Sequence, residues 1–170
     1  LMTLPANNNF KLPPVIFGTT GLGNLYEAVP YETKLEIVRQ SLLHSPGIPM
    51  FDSAGKYGAG LALEVLGKCL KNLNVPKDAV IISNKLAWYQ TELKTPEPTF
   101  EKGIWRDLTH DAVQKISYDG IIECFEQGNE LLGDYDSQMA SIHDPDEYLD
   151  AAVDEADDAR RYNDILEAYK

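Results

Sequence analysis

Residues 79–85, Ala79-Val80-Ile81-Ile82-Ser83-Asn84-Lys85, decide the fold class of this chain. Four apolar residues, three of them β-branched, run without interruption into three polar ones. A strand with one wet face alternates apolar and polar residues, whereas an unbroken run is expected of a strand in a parallel sheet that is covered on both faces. Three further runs read the same way. Val15-Ile16-Phe17 stops at Gly18, Ile48-Pro49-Met50-Phe51 enters a polar, glycine-rich turn, and Gln138-Met139-Ala140-Ser141-Ile142 is the weakest, only half apolar.

Helical periodicity fills the intervals. In 31–44, Leu35, Val38 and Leu42 recur on one stripe; in 60–73, Ala62, Val65, Leu66, Cys69, Leu70 and Leu73 do so. Segment 118–132 has Ser117 as N-cap, Ile122, Phe125 and Leu132 on one face, and Gly133 as its stop. The last helix is predicted over 159–170, with Tyr162, Ile165, Leu166 and Tyr169 aligned. Strand starts near 15, 48, 79 and 138 give spacings of 33, 31 and 59, the last lengthened by a long loop. Four βα repeats predict an α/β fold with a parallel sheet, either doubly wound or part of a (β/α)₈ TIM barrel.

Composition bounds the rest. The chain has 170 residues, 44% of them apolar, which fits a single domain over 1–170 with a real core. Its 15 basic and 27 acidic side chains leave a net charge of −12, which argues against nucleic acid as a partner. No apolar run approaches the roughly 18 residues of a membrane span, and no signal-peptide pattern opens the chain. Cys69 and Cys124 both fall in helical segments, so a disulfide framework is not expected and a cytoplasmic location is. Residues Leu1 to Leu12 read as an arm or cap.

In parallel α/β folds, ligands gather at the carboxyl ends of the strands. The second strand ends at Asp52, the third at Lys85 and the fourth at His143, with Tyr57 five residues beyond Asp52. These types suit one chemistry. A tyrosine, with a free pKa of about 10, is a weak acid at neutral pH. A lysine ammonium beside it stabilises the phenolate, and a carboxylate holds the lysine charged and oriented. A neutral histidine can orient a carbonyl oxygen. Such a set protonates an alkoxide or deprotonates an alcohol, and the hydride must come from a cofactor.

Each residue also has an ordinary role. Asp52 can cap the following turn, Tyr57 can be a packed aromatic, Lys85 a solvated strand end, and His143, beside Pro145, a loop-ordering group. Their recurrence at consecutive strand ends favours one shared site.

The string Asp52-Ser53-Ala54-Gly55-Lys56-Tyr57-Gly58 resembles the aldo-keto reductase signature D-[ST]-A-x-x-Y-G. Ser83-Asn84-Lys85 is similar to that family's lysine strand, and Ile142-His143-Asp144-Pro145-Asp146 to its histidine strand. The resemblance runs from about residue 14 to the chain end. It implies that Asp52, Tyr57, Lys85 and His143 form the family's catalytic tetrad and that Asp52 and Lys85 touch the nicotinamide end of NADP or NAD. The His-Asp-Pro-Asp string and the loop after Lys85 are most similar to the sugar-oxidising D-threo-aldose 1-dehydrogenase branch, which includes L-fucose and galactose dehydrogenases. The implied fold is a (β/α)₈ barrel of about 250 residues, of which four βα units cover the N-terminal half. Most of the family's cofactor pocket is implied to lie in the other half.

Loop 86–108 carries Trp88, Tyr89, Phe100 and Trp105 with two prolines. Aromatic faces suit the C–H faces of sugars, so Trp88, Tyr89 and Trp105 are expected to bind substrate; the competing expectation is a loop folded over its own small core. Gly18-Thr19-Thr20-Gly21-Leu22-Gly23 reads G-x-x-G-x-G, the reverse of a dinucleotide fingerprint, and is expected to be a tight substrate-side turn. His143, Asp144, Asp146 and Glu147 lack metal-site spacing, and no metal is expected. The acid-rich stretch 144–158 reads as a solvated surface. Two functions remain open: an NAD(P)-dependent oxidoreductase acting on a sugar or related carbonyl, and a non-catalytic half-barrel that binds or assembles. The sequence leaves the oligomeric state open.

Overall fold

The computed structural model describes residues 11–170, so the arm expected over Leu1–Leu12 lies almost wholly outside the described residues. Four strands form one parallel sheet: β1 (Phe17–Gly18), β2 (Met50–Ala54), β3 (Ile81–Leu86) and, numbered in chain order after the hairpin β4 (Trp88–Glu92) and β5 (His110–Gln114), β6 (Met139–Ile142). The sheet order is β1-β2-β3-β6. Neighbours therefore follow sequence order with no switch point, which is the arrangement of a barrel segment and distinguishes it from a doubly wound sheet. Register pairs Phe17 with Phe51, Phe51 with Ile82, and Lys85 with Ser141.

The two faces of the sheet differ. Phe17, Phe51 and Ile82 point outward into the main core, against Leu63, Leu66 and Leu70 of α2 (Leu61–Asn72) and Val38 of α1 (Tyr31–Leu43). Of the stripe expected on α2, Ala62, Val65, Leu66, Cys69 and Leu70 are buried, while Leu73, just past the helix end, is half-buried. Gly18, Met50, Asp52, Ser83 and Met139 face the other way and line an open concave cavity of ≈470 Å³.

One helix face is corrected. On α3 (Tyr118–Leu132) the buried residues are Gly120, Cys124, Gly128 and Leu132, while Ile122 and Phe125 are exposed. A Cβ on Gly128 would come within 2.3 Å of Asn84 Nδ2, so the helix sits on β3 through its smallest residues. Counting large apolar side chains overlooks a face made of glycine. Ser117 caps the helix as expected, its Oγ accepting from Gly120 N. The C-terminal region also differs: α4 (Pro145–Asp150) precedes α5 (Glu155–Ala168), which starts earlier than the apolar stripe because Asp154 caps it by accepting from Asp157 N. Of its expected stripe only Ile165 is buried.

The segment read as an irregular loop contains the antiparallel hairpin strands β4 and β5, with Trp88 opposite Gln114. Its connection folds over a small core of Ala59, Phe100, Trp105 and Ala112, against which Leu25, Tyr57 and Trp88 pack. Buried Asp111 anchors it, accepting from Thr99 N and Thr99 Oγ1; burial opposes its ionisation, but these bonds and those from Ala112 and Phe100 hold the carboxyl below its usual range. Cys69 and Cys124 are both buried free thiols. No helix among the described residues is long and apolar enough to cross a membrane, and no group of three or more metal-ligating side chains occurs there.

Candidate active site at the strand ends

Because β2, β3 and β6 are parallel and in register, their carboxyl ends open on the same side. Asp52 lies in β2, opposite Ser83, and Lys85 lies two residues further along β3, opposite Ala54. His143 follows β6 directly, its N–H donating to Leu86 O at 2.8 Å, so the parallel pairing carries one residue past the strand. Tyr57 lies in the β2–α2 loop, held by its N–H to Ala54 O at 3.1 Å.

Backbone contact fixes that loop. Gly58 has φ +63, and a Cβ there would lie 2.3 Å from Gly23 O; a Cβ on Gly23 would lie 2.8 Å from the Tyr57 carbonyl. Only glycine meets both the left-handed conformation and the close approach. The turn Thr20–Gly23 thus acts as the seat of the tyrosine loop. The connection between β4 and β5 is tied to the same region: Tyr26 N donates to Ile104 O at 2.9 Å and Arg106 N to Asn24 O at 3.0 Å.

The four expected side chains converge. Lys85 Nζ pairs with Asp52 Oδ2 and lies 4.7 Å from the centre of the Tyr57 ring. The Tyr57 and His143 rings meet edge to face, with centroids 5.6 Å apart. Burial disfavours the Lys85 ammonium, but the Asp52 carboxylate and the Tyr57 hydroxyl outweigh it and raise the pKa, so the lysine is charged. His143 is buried; desolvation depresses its pKa, Asp144 and Glu147 oppose that, and Lys56 and Lys85 add to it, leaving it below the usual value of 6.5. Its Nδ1 is buried with no hydrogen-bond partner among the described residues. A neutral imidazole protonated on Nε2 fits that surrounding.

The three expected aromatic residues part company. Trp105 joins the site, 6.0 Å from Tyr57 between ring centres, with its Nε1 donating to Glu101 Oε2 at 2.6 Å. Trp88 packs on Phe100, with ring centres 5.6 Å apart. Tyr89 lies under the Lys115 ammonium, 4.0 Å from the ring centre. Sequence reasoning passed over buried Lys56, whose ammonium meets Glu101, Asp144 and Glu147. Its position between two signature residues was visible, but its partners come from two distant segments.

A carbonyl or alcohol held against Tyr57 and His143 can exchange a proton there. The hydride of such a reaction has no source among amino-acid side chains, which is the chemistry of a nicotinamide. The residues present suit that end of the cofactor: the Asp52 and Lys85 side chains keep 33% and 20% of their surface exposed, and Asp52 borders the open concave face.

A partial (β/α)₈ barrel with a Tyr-Lys-Asp-His cluster at its strand ends defines an oxidoreductase class. Residues 14–170 match the model of the aldo/keto reductase family, and the chain belongs to that family. It is 28% identical to the L-galactose dehydrogenase of Arabidopsis thaliana over 120 residues, which are 71% of this chain and 36% of that protein. It is 28% identical over 134 residues to the pyridoxal 4-dehydrogenase of Microbacterium luteolum, 75% of this chain and 38% of that one. The chain thus spans well under half the length of these relatives. Its fold is similar to that of the glycerol dehydrogenase of Gluconobacter oxydans, with a TM-score of 0.54 and 16% identity over 91% of this chain and 41% of that one. An aldo-keto reductase of Klebsiella pneumoniae, 20% identical over 77% of this chain and 35% of that one with a TM-score of 0.49, is solved in complex with NADPH.

Proposed function

We propose that this chain carries the catalytic face of an NAD(P)-dependent oxidoreductase that moves a hydride between the nicotinamide of NADP or NAD and C1 of an aldose, or a related carbonyl/alcohol pair. Tyr57 is the proton donor to the nascent alkoxide, or the acceptor in the oxidising direction. Lys85 stabilises the Tyr57 phenolate that results, Asp52 orients Lys85, and His143 orients the substrate oxygen. Asp52 and Lys85 also border the nicotinamide. The bound cofactor supplies the hydride.

One observation carries this reading: the charged Lys85 links Asp52 to the Tyr57 ring while His143 meets that ring edge-on. The aldose preference is supported by similarity to an L-galactose dehydrogenase and by Trp105 beside Tyr57, an aromatic face of the kind that stacks on sugars. Trp88 packs against the same small core as Trp105, and Tyr89, set against Lys115, is the weakest of the substrate residues. Two free buried thiols suit a reducing, cytoplasmic setting.

The test is Tyr57→Phe in the protein as its gene encodes it. Sugar-dependent NAD(P)H production falls about 10²–10⁴-fold, while NADPH binding, followed by its fluorescence, stays unchanged. Unaltered turnover rejects the assignment. A second reading, a half-barrel that binds or assembles without catalysis, is favoured by the open concave face and by edges of β1 and β6 that have no strand partner among the described residues. Sugar-dependent NAD(P)H production by the 170-residue chain rejects that alternative.

A further inference from the structure

Lys56 is 5% exposed, and its ammonium is surrounded by carboxylates from two segments far away in sequence. Nζ donates to Glu147 Oε2 at 2.8 Å and to Asp144 Oδ2 at 3.2 Å, and pairs with Glu101 Oε1 at 3.2 Å. It also lies 5.4 Å from the centre of the Trp88 ring. Glu101 holds Trp105, Asp144 follows His143, and Lys56 itself precedes Tyr57. One cation therefore joins the tyrosine loop, the connection between β4 and β5, and the turn that delivers the histidine.

The Asp144 oxygen is shared. Oδ2 accepts from Lys56 and stands 3.3 Å from His143 Nε2. Asp144 sits in the left-handed region at φ 44, a conformation that aspartate and asparagine adopt more readily than most residues, and its carboxylate lies between the lysine and the imidazole. Without Lys56, the Asp144 and Glu147 charges would be opposed only by burial and by Lys85, and would favour a second proton on the ring. That proton would belong to Nδ1, which is buried with no acceptor among the described residues.

We propose that Lys56 is a positioning residue: by dividing the Asp144 carboxylate with His143 it keeps the imidazole a neutral Nε2–H donor, and through Glu101 it holds Trp105 over the same site. The assignment rests on the oxidoreductase reading for its use, although its test does not need turnover. The charged groups acting on His143 are Lys56, Asp144, Glu147 and Lys85, with Tyr57 against its ring and Asp52 and Glu101 paired to the two lysines.

The experiment is an NMR titration of the His143 imidazole in the 170-residue chain. Lys56→Met moves the midpoint upward and Lys56→Arg returns it toward the wild-type value. Asp144→Asn, at a half-exposed position whose left-handed backbone suits asparagine, moves the midpoint downward. Glu101→Gln removes the charge through which Lys56 holds the Trp105 partner, and changes tryptophan fluorescence while leaving the His143 midpoint near wild type. A purely structural lysine would lower the melting temperature in Lys56→Met with no opposite displacement in Asp144→Asn. A midpoint that fails to fall in Asp144→Asn, or that Lys56→Arg fails to restore, overturns the proposal. Failure of the oxidoreductase reading is a separate result, seen in Tyr57→Phe turnover.

Discussion

The two faces of the four-stranded sheet share a backbone and little else. The outer face presents Phe51 and Ile82 to α2 and is closed to water; the inner face presents Gly18, Asp52 and Ser83 to an open cavity. Side chains alternate along a strand, so β2 can commit Phe51 to packing and Asp52, the next residue, to chemistry. Stability and function are thereby separated by one position rather than by a domain boundary.

That separation predicts unequal costs. Leu66 of α2 is wholly buried on the outer face, and Leu66→Ala should destabilise the chain by about 2–5 kcal/mol in urea unfolding. Ser83→Ala on the inner face should change stability by no more than about 0.5 kcal/mol. Similar costs at the two positions would mean that the inner face is packed, and the comparison would fail.

The outer face was also the more legible. Its residues on α2 repeat with helical period, and the run Ala79–Ile82 marked β3, because burial against a helix leaves a periodic trace in one segment. The inner face left four isolated polar residues, and only the strand-end rule and the signature string brought them together. What escaped was built from contacts between segments. The hairpin β4–β5 hides among aromatic and polar residues, and its anchor Asp111 meets Thr99 twelve positions away. The buried face of α3 carries little hydrophobic signal, because Gly120 and Gly128 stand on it beside Cys124 and Leu132. Lys56 looked like a variable position because its three acidic partners lie 45, 88 and 91 residues distant.

The seat of Tyr57 offers a second, smaller test between neighbouring glycines. Gly58→Ala places a Cβ 2.3 Å from Gly23 O at φ +63, and the left-handed conformation alone costs about 1–2 kcal/mol. Gly21, in the same Thr20–Gly23 turn, faces open space: a Cβ there would meet nothing within 4 Å. Gly21→Ala should therefore stay within about 0.5 kcal/mol of wild type. Equal melting temperatures for the two variants would remove the argument that the turn clamps the tyrosine loop.

The smallest effect tests whether the inner face carries an energetic burden from its own chemistry. Burial places the folded-state pKa of His143 below its ordinary 6.5, with Lys56 and Lys85 adding to the effect and Asp144 and Glu147 opposing it. Above pH 6.5 the imidazole is neutral in both states and contributes no slope. As pH falls through 6.5 the unfolded chain takes up a proton that the folded chain refuses, so stability is lost until the folded pKa is reached. The carboxylates held low, Asp111, Asp134 and Asp157, act in the other window: their contribution is full above their ordinary 3.8 and is lost as pH falls below it. Between pH 7.5 and 5.5 the loss assigned to His143 therefore stands apart from theirs. Urea midpoints at those two pH values should differ in the wild type and differ less in His143→Gln. An identical difference in both proteins would show that the buried imidazole costs the fold nothing.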